Sequence, residues 1–374
     1  MNICIDCMAV GEGMTGIGSF ARSAVEALGE VFGSGEHLAL IPDGTRGSLR
    51  LPSSFRALHP NGAGPLWREL ALPTILADRE IDIFFSPHFS CPVVRGARHV
   101  VTLHDVFPES HPELCTGEFL AFWKARLAPS LRSASHTVAV SEWSKRCGVE
   151  HLRIPEERIS VVRQSVGANF RTLTSEKSSP AAKKHGLSRG QYVLYLGALD
   201  PRKNLERLIG AFAQLSAPEL VLAIAGESVS SGYDLPAAAE RAGIAEKVRL
   251  LGRVPDGDLA PLYAGARCFA FPSLAEGFGR PVIEAMSCGV PVVASDRTAL
   301  PETCGDAALL PDPEDVEAIT DALRTACFED AQRARLAAAG KKRAAEFSDE
   351  RFGADLRAAF EAAMNGPGDG LWSA

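Results

Sequence analysis

Short runs of apolar residues alternate along this chain with longer stretches in which polar and apolar positions are mixed. The apolar runs are rich in Val, Ile and Leu and do not alternate strictly, which is typical of parallel strands buried on both faces. The mixed stretches, such as 119–133 and 205–215, are predicted to be helices, and this order predicts parallel sheets with right-handed crossovers. Strands are predicted at 2–6, 38–41, 83–86, 99–103, 136–140, 159–162, 192–196, 221–225, 248–251, 268–271 and 291–294.

A polar, Ser-rich stretch interrupts this rhythm near the middle of the chain. It predicts a linker at 171–190 between a first domain at 1–170 and a second domain at 191–349. A last helix at about 350–366 is expected to pack back on the first domain. The predicted fold class is α/β, with two doubly wound, Rossmann-like parallel sheets facing a cleft. Ligands of such sheets bind outside the carboxyl ends of the strands, so the loops that follow strands are the candidate site.

The composition is that of a globular protein, and it limits the kinds of partner that the chain is expected to bind. The chain has 374 residues, 46% of them hydrophobic and 23% charged, and its length suits two domains. A formal net charge of −7 disfavours a general nucleic-acid binder. The start, MNICIDCMAV, lacks the basic region of a signal peptide and no apolar run is long enough for a bilayer, so we expect a cytoplasmic protein. The first half, to Phe170, is nearly neutral, which permits peripheral contact with the inner membrane face.

The nine cysteines predict neither a metal site nor a disulfide framework. Cys4 and Cys7 form a lone C-x-x-C, with no second Cys or His pair at zinc spacing. We therefore expect reduced cysteines in the core and no metal.

The most informative motif is PSLAEGFGRPVIEAMSCGVPVVAS, at 272–295. A strand should end before it and a helix should begin near Arg280, with a glycine-rich loop between them. Gly277 and Gly279, on either side of Phe278, allow the backbone to approach a ligand, and the free N–H groups of the helix start suit a diphosphate. Carboxylates are good acceptors for hydroxyl groups, so we assign Glu276 to the transferred sugar and Glu284 to the ribose. The alternative is a pair of solvated glutamates.

A second motif, YLGALDPRKN at 195–204, carries two cations after a predicted strand. Arg202 and Lys203 precede a helix, where they can neutralise a diphosphate leaving group. Ordinary surface charge is the alternative. The loops after two neighbouring strands add Gly226, Arg253 and Val254 as candidates for the nucleotide.

Candidates in the first half are weaker and lie in loops that follow strands. The loop GEGMTGIGSF contributes Gly16 and Gly18, which suit close passage of phosphate or acceptor, although a plain tight turn is the alternative. His104 and Asp105 follow one strand and His88 another. A histidine at such a position can form a hydrogen bond to a sugar hydroxyl or a phosphate, although a lone histidine is usually structural. Ser141, in VAVSEWSKR, is most simply the cap of the next helix. A phosphate or acceptor contact is the alternative.

Taken together, these motifs resemble the retaining glycosyltransferases of family 4, which have the GT-B fold. EGFGRPVIE resembles the E-x7-E element of that family, and PRKN and TLHD stand in the expected order. The resemblance implies that Glu276 contacts the donor sugar, Glu284 the ribose and Lys203 the diphosphate. It further implies that His104 lies near the transferred sugar and Gly16 near the phosphate or acceptor, and that no metal is required. The 11–18 loop is similar to that of O-antigen and polysaccharide mannosyltransferases, which favours GDP-mannose as donor and a glycan or lipid-linked saccharide as acceptor.

The chain departs from the family pattern at two positions, and other functions remain as alternatives. Ala198 stands where many members carry an arginine, and Arg280 stands where an apolar residue is common. A donor with UDP or dTDP is the first alternative. A sugar-nucleotide epimerase and a phosphorylase are others, although no pyridoxal lysine is identifiable for the latter. A sugar-nucleotide-binding assembly subunit without activity is the alternative of another class, favoured only by Ala198.

Overall fold

The structure, a computed structural model, describes residues 1–10, 16–33, 35–42, 49–59, 71–77, 79–89, 92, 94–171, 178–228 and 233–366. The chain forms two compact units. Unit 1 consists of Met1–Ser165 with Asp349–Ala374, and unit 2 of Val166–Ser348.

Unit 1 is built on a wholly parallel sheet. In its described part, seven strands lie in the order β3-β2-β1-β4-β5-β6-β7. From β1 the sheet grows in one direction through β2 and β3 and in the other through β4 to β7. The carboxyl ends of β1 and β4 therefore form the topological switch point. Its elements are β1 (Ile3–Asp6), α1 (Gly16–Val31), β2 (His37–Leu40), β3 (Phe55–Leu58), α2 (Leu72–Ala77), β4 (Ile83–Ser86), β5 (Arg98–Leu103), α3 (Phe107–Ser110), α4 (Gly117–Phe122), a π-helical turn (Trp123–Leu127), α5 (Ala128–Ser133), β6 (His136–Ala139), α6 (Glu142–Leu152), β7 (Ile159–Val161) and α16 (Asp349–Asn365).

Unit 2 contains a second parallel sheet. Among the residues described there, five strands lie in the order β10-β9-β8-β11-β12, so the switch point falls between β8 and β11. Its elements are α7 (Ala168–Arg171), α8 (Ser178–Lys184), β8 (Tyr192–Leu196), α9 (Leu205–Gln214), β9 (Val221–Ala225), α10 (Leu235–Arg241), β10 (Val248–Gly252), α11 (Asp256–Gly265), β11 (Cys268–Phe271), α12 (Arg280–Ser287), β12 (Val292–Ala294), α13 (Leu300–Cys304), α14 (Val316–Phe328) and α15 (Asp330–Ala345).

The two parallel sheets confirm the predicted fold class, and the strands lie close to their predicted positions. β3 is the strand that the hydrophobic pattern did not reveal. It forms one edge of the unit 1 sheet and buries Phe55, while Arg56 and Ala57 are exposed. An edge strand needs only a few apolar anchors, so it has no continuous apolar run to detect.

The segment expected to be a linker, 171–190, lies within unit 2. Its described part includes α8, in which Ala181 and Ala182 are buried and which packs on α11. Two small residues are enough for a short helix to pack closely, but they give no apolar period that would stand out in the sequence.

The last helix, α16, is part of unit 1 and packs on α1. Its two phenylalanines anchor it in unit 1: Phe352 meets Phe20 of α1 edge-on at 5.4 Å, and Phe360 lies 5.1 Å from Phe85 of β4, both measured between ring centroids. Of the helices that the structure describes, none combines the length and the hydropathy needed to cross a bilayer.

Candidate functional site

The switch point of unit 2 brings the two strongest sequence motifs together. β8 and β11 are neighbours in the sheet, and the chain leaves them towards Lys203 and Glu276 respectively. Lys203 Nζ donates to Glu276 Oε1 at 2.5 Å. Two motifs that are far apart in the sequence therefore form one buried ion pair at the place where a doubly wound sheet binds ligands.

Local backbone geometry fixes Lys203. It ends a single 3₁₀ turn, Pro201–Lys203, and Asn204 follows in the left-handed conformation with φ 62°. The buried amide of Asn204 donates to the carbonyls of Pro272 and Pro313, at 3.0 and 2.7 Å. Since asparagine tolerates this conformation better than most residues, Asn204 can end the turn and anchor it at once. Lys203 Nζ also lies 5.4 Å from the ring centroid of Phe271.

Arg202 completes the charged cluster, but its charge is balanced by the protein itself. Its Nη1 donates to the carbonyl of Ala275 at 2.6 Å and lies 3.4 Å from Glu276 Oε2, and its Nη2 lies 3.7 Å from Asp200 Oδ2. Two cations thus face two carboxylates. Because the cluster is close to neutral, a diphosphate here would depend on N–H donors and on the exchange of partners as well as on net charge.

The ionisation of the pair is set by competition between burial and neighbouring charges. Burial raises the pKa of Glu276, but the charges of Lys203 and Arg202 outweigh it and hold that pKa below its usual range. Burial lowers the pKa of Lys203, against the opposing effect of Glu276. Glu276 is therefore a carboxylate at neutral pH, as a hydroxyl acceptor must be.

The main chain of Glu276 is clamped by the segment after β12. Its N–H donates to Thr298 Oγ1 at 2.9 Å, and its carbonyl accepts from the N–H of Ala299 at 3.3 Å. Thr298 has φ 56°, a left-handed conformation that is unfavourable for a β-branched residue. Sequence analysis did not identify Thr298, and no motif signals it, because its role depends on a backbone conformation.

The three residues of the glycine loop before α12, Gly277, Phe278 and Gly279, differ in their environments. Gly279 has φ 93°, and a Cβ there would lie 2.5 Å from Leu300 Cδ2, so both conformation and space require glycine. Phe278 packs its buried ring on Phe347, with centroids 5.6 Å apart, so only its backbone is available to a phosphate. Gly277 is buried and lies between Glu276 and Phe278.

Glu284 is buried in α12 with two partners, and both come from unit 2. Arg280 Nε donates to Glu284 Oε1 at 2.9 Å, one helical turn away, and the hydroxyl of Tyr263 donates to Oε2 at 3.2 Å. Burial raises the pKa of Glu284, while Arg280 and Tyr263 oppose that rise. Glu284 and Glu276 are both largely buried and paired. The alternative for this motif, a pair of solvated glutamates, is therefore wrong.

The other nucleotide candidates occupy different environments. A Cβ on Gly226 (φ 144°) would lie 1.8 Å from the carbonyl oxygen of Gly197, so this glycine is explained by the close approach of two strand ends. Val254 is buried and Arg253 is exposed.

The switch point of unit 1 carries a second pair, the buried Asp6 with the half-buried His88. His88 Nε2 lies 3.2 Å from Asp6 Oδ2, and Nδ1 lies 3.3 Å from Ser86 Oγ. Both ring nitrogens of His88 are therefore engaged within the protein, which leaves less scope for the acceptor contact predicted for it. Asp6, which is fully buried at the end of β1, was not a sequence candidate because it reads as the last residue of a core strand.

His104 lies at the end of β5 and is held as a neutral ring. Its Nε2 lies 2.7 Å from the carbonyl of Pro87, and burial lowers its pKa to about 4. A neutral ring that donates from Nε2 keeps Nδ1 as an acceptor, which suits a hydroxyl group. Phe20 and Phe89 meet the ring edge-on, at 5.3 and 5.5 Å between centroids.

Among the remaining candidates of unit 1, the structure explains Ser141 and assigns no role to the others. Ser141 caps α6, because its side chain accepts from the N–H of Ser144 at 2.9 Å. Gly16 is the exposed first residue of α1, and Gly18 is buried in it. Residues 11–15 of that loop lie outside the described residues. Asp105 is half-buried beside His104.

Both halves of the chain match family models. Residues 30–167 match the model described as Glycosyltransferase Family 4, and residues 179–343 match the model described as Glycosyl transferases group 1. The chain therefore belongs to the glycosyltransferases with these two domains and is an enzyme of that class. It is 34% identical to the O-antigen chain mannosyltransferase B of Escherichia coli over 306 residues, which cover 80% of this chain and 77% of that protein.

Solved structures with the GT-B fold resemble this chain over almost its whole length. HepE of Anabaena, crystallised with UDP and glucose, superposes with a TM-score of 0.77 at 19% identity and covers 96% of this chain and 99% of its own. The sucrose-phosphate synthase of Thermosynechococcus elongatus has the same TM-score at 18% identity, covering 96% of this chain and 98% of its own. At such low identity, these likenesses carry the fold and not the substrate.

Proposed function

We propose that this enzyme is a mannosyltransferase that moves mannose from GDP-mannose to a glycan or lipid-linked saccharide. The observation that carries the proposal is the Lys203–Glu276 pair at the switch point of unit 2, beside the glycine loop and the start of α12. A cation, an ionised carboxylate and the positive end of a helix are the groups that a nucleotide sugar needs. The likeness to an O-antigen chain mannosyltransferase supports mannose as the sugar.

In the proposed mechanism the sugar is transferred with retention of its anomeric configuration and without a metal. The acceptor hydroxyl attacks on the face that the leaving diphosphate vacates, through an oxocarbenium-like state, and the diphosphate accepts the hydroxyl proton. Lys203, Arg202 and the positive end of α12 stabilise the leaving group, and Glu276 holds the sugar hydroxyls. Glu284 binds the ribose.

The donor is tested by binding and the reaction by product. A thermal-shift panel of GDP, UDP, dTDP and ADP should give the largest stabilisation with GDP; stabilisation by UDP or dTDP instead would replace GDP-mannose with the alternative donor. Incubation with GDP-mannose and a lipid-linked saccharide should then give an α-mannosylated product, with EDTA leaving the rate unchanged.

The same incubations separate the other classes. Conversion of the nucleotide sugar without any acceptor would indicate an epimerase. Binding of a nucleotide sugar with no turnover under any acceptor would indicate an assembly subunit, the function that Ala198 favours. Membrane contact is tested by cosedimentation with vesicles that contain anionic lipid.

A further inference from the structure

Arg280 holds an unusual position in unit 2. It is the first residue of α12, its side chain is only 8% exposed, and its Nε is bonded to Glu284 at 2.9 Å. Within the part of the chain that the structure describes, its Nη1 is buried and has no hydrogen-bond partner. A buried guanidinium N–H that lacks an acceptor is unfavourable, so its retention calls for an acceptor that the protein does not supply.

The direction of the helix indicates which acceptor this is. Long side chains of a helix lean towards its N-terminus, so Glu284 reaches back and meets Arg280 over the first turn of α12. The positive end of the helix lies at the same turn, where Pro281 has no N–H and the N–H of Val282 already donates to the carbonyl of Gly279 at 2.9 Å. A guanidinium that is fixed through Nε by a carboxylate keeps its remaining N–H groups in a rigid plane, and phosphate oxygens are the acceptors that suit this fork best.

The neutral charge of the neighbouring cluster supports the same conclusion. Glu276 and Asp200 face Lys203 and Arg202, so these two cations are already paired within the protein. Ala198 contributes no charge. A diphosphate therefore finds few cations that are not already paired with a carboxylate. A further cationic N–H donor at the start of α12 would strengthen its binding.

We propose that Arg280 is a phosphate-binding residue of the donor site, in which Glu284 and Tyr263 fix the guanidinium and Nη1 donates to a phosphate oxygen of the nucleoside diphosphate. This assignment rests on the proposed function. It also gives Glu284 a second role, because the carboxylate that accepts the ribose orients the arginine as well.

The test compares a nucleoside diphosphate with its nucleoside. Isothermal calorimetry should show that Arg280→Met binds GDP about 10- to 100-fold more weakly than the wild-type chain, with guanosine affinity within about twofold. Arg280→Lys should be intermediate, because a compact ammonium cannot bond Glu284 and a phosphate in the same way. Arg241→Met removes an exposed arginine of unit 2 and should change neither affinity.

Each other outcome has a defined meaning. Equal losses for GDP and guanosine in Arg280→Met, matched by Tyr263→Phe, would mean that Arg280 acts only by positioning Glu284, and would overturn the assignment. Unchanged GDP binding in Arg280→Met would overturn it too. If the wild-type chain binds no nucleoside diphosphate, the proposed function fails and the assignment fails with it. If Arg280→Met does not fold, as judged by circular dichroism, the ratio of GDP to guanosine affinity in Arg280→Lys decides in its place.

Discussion

The N–H of Glu276 donates to Thr298 Oγ1 at 2.9 Å, and Thr298 keeps a left-handed backbone with φ 56° to accept it. A β-branched residue in that conformation costs about 1–3 kcal/mol. The strain is therefore located directly beside the carboxylate that we assign to the donor sugar. Because the hydroxyl is the useful part of the side chain and the branch is the costly part, substitutions at Thr298 can separate the two.

Thr298→Val should lower turnover by about 10-fold or more and destabilise unit 2 by about 1–3 kcal/mol, because the N–H of Glu276 loses its acceptor. Thr298→Ser keeps the hydroxyl without the branch, so its turnover should stay close to that of the wild-type chain and unit 2 should be as stable or more stable. Steady-state transfer kinetics and urea unfolding followed by circular dichroism measure the two effects. Equal turnover in the Val and Ser variants would contradict the role of the hydroxyl.

The Lys203–Glu276 pair predicts that stability and turnover respond differently to the same substitutions. Lys203→Met should lower turnover by about 100- to 1,000-fold, through loss of leaving-group stabilisation. It should also destabilise unit 2 by up to about 3–5 kcal/mol, since it removes the nearest partner of a buried carboxylate and leaves Arg202 at 3.4 Å.

The double variant Lys203→Met with Glu276→Gln should recover much of the stability but none of the turnover, because no buried charge is then left without its partner. Lys184→Met, at an exposed lysine of unit 2, is the matched control and should leave turnover unchanged. Near-normal transfer by Lys203→Met would refute the catalytic role of this lysine.

The buried histidines predict how the stability of unit 1 depends on pH. Burial lowers the pKa of His104 and of His136 to about 4, whereas in the unfolded chain a histidine titrates near 6.5. Between those values the unfolded state binds more protons, so stability is complete above about pH 6.5 and falls as the pH is lowered towards 4. Each histidine contributes up to roughly 3 kcal/mol to this loss.

His104→Asn and His136→Asn should each reduce the slope of unfolding free energy against pH in this window, and the double variant should reduce it most. Trp123 and Trp143, the tryptophans among the described residues, belong to unit 1, so tryptophan fluorescence follows the unfolding of that unit. A slope in His104→Asn that equals the wild-type slope would show that its ring is not buried in the neutral form.

A single methyl group added at Gly226 is expected to destabilise unit 2 severely. A Cβ at this residue would lie 1.8 Å from the carbonyl oxygen of Gly197, so Gly226→Ala must push apart the ends of β8 and β9. We expect a loss of more than about 4 kcal/mol, large enough to abolish soluble expression. Gly257→Ala adds the same methyl group in the first turn of α11, where nothing lies within 4 Å, and should be neutral or slightly stabilising.

Most of the fold and part of the site could be predicted from the sequence. Buried parallel strands such as Tyr192–Leu196 and Cys268–Phe271 carry continuous apolar runs, so their positions were predicted to the residue. The motifs that contain Lys203, Glu276 and Glu284 were recognisable because a strand, a glycine loop and a helix start follow each other along the chain. β3 and α8 were missed, since an edge strand and a short Ala-packed helix bury too few side chains to leave a pattern.

The sequence by itself determined the class of fold, the positions of most strands along the chain and the loops that bear its charged residues, because hydrophobic periodicity and glycine are local properties of the chain. Only the tertiary structure decided the partners. It paired Lys203 with Glu276, Arg280 with Glu284 and Asp6 with His88, and it gave Thr298 and Gly226 their roles. The physical reason is that strand order within a sheet brings distant loops to one edge, and burial there decides which charges must be compensated.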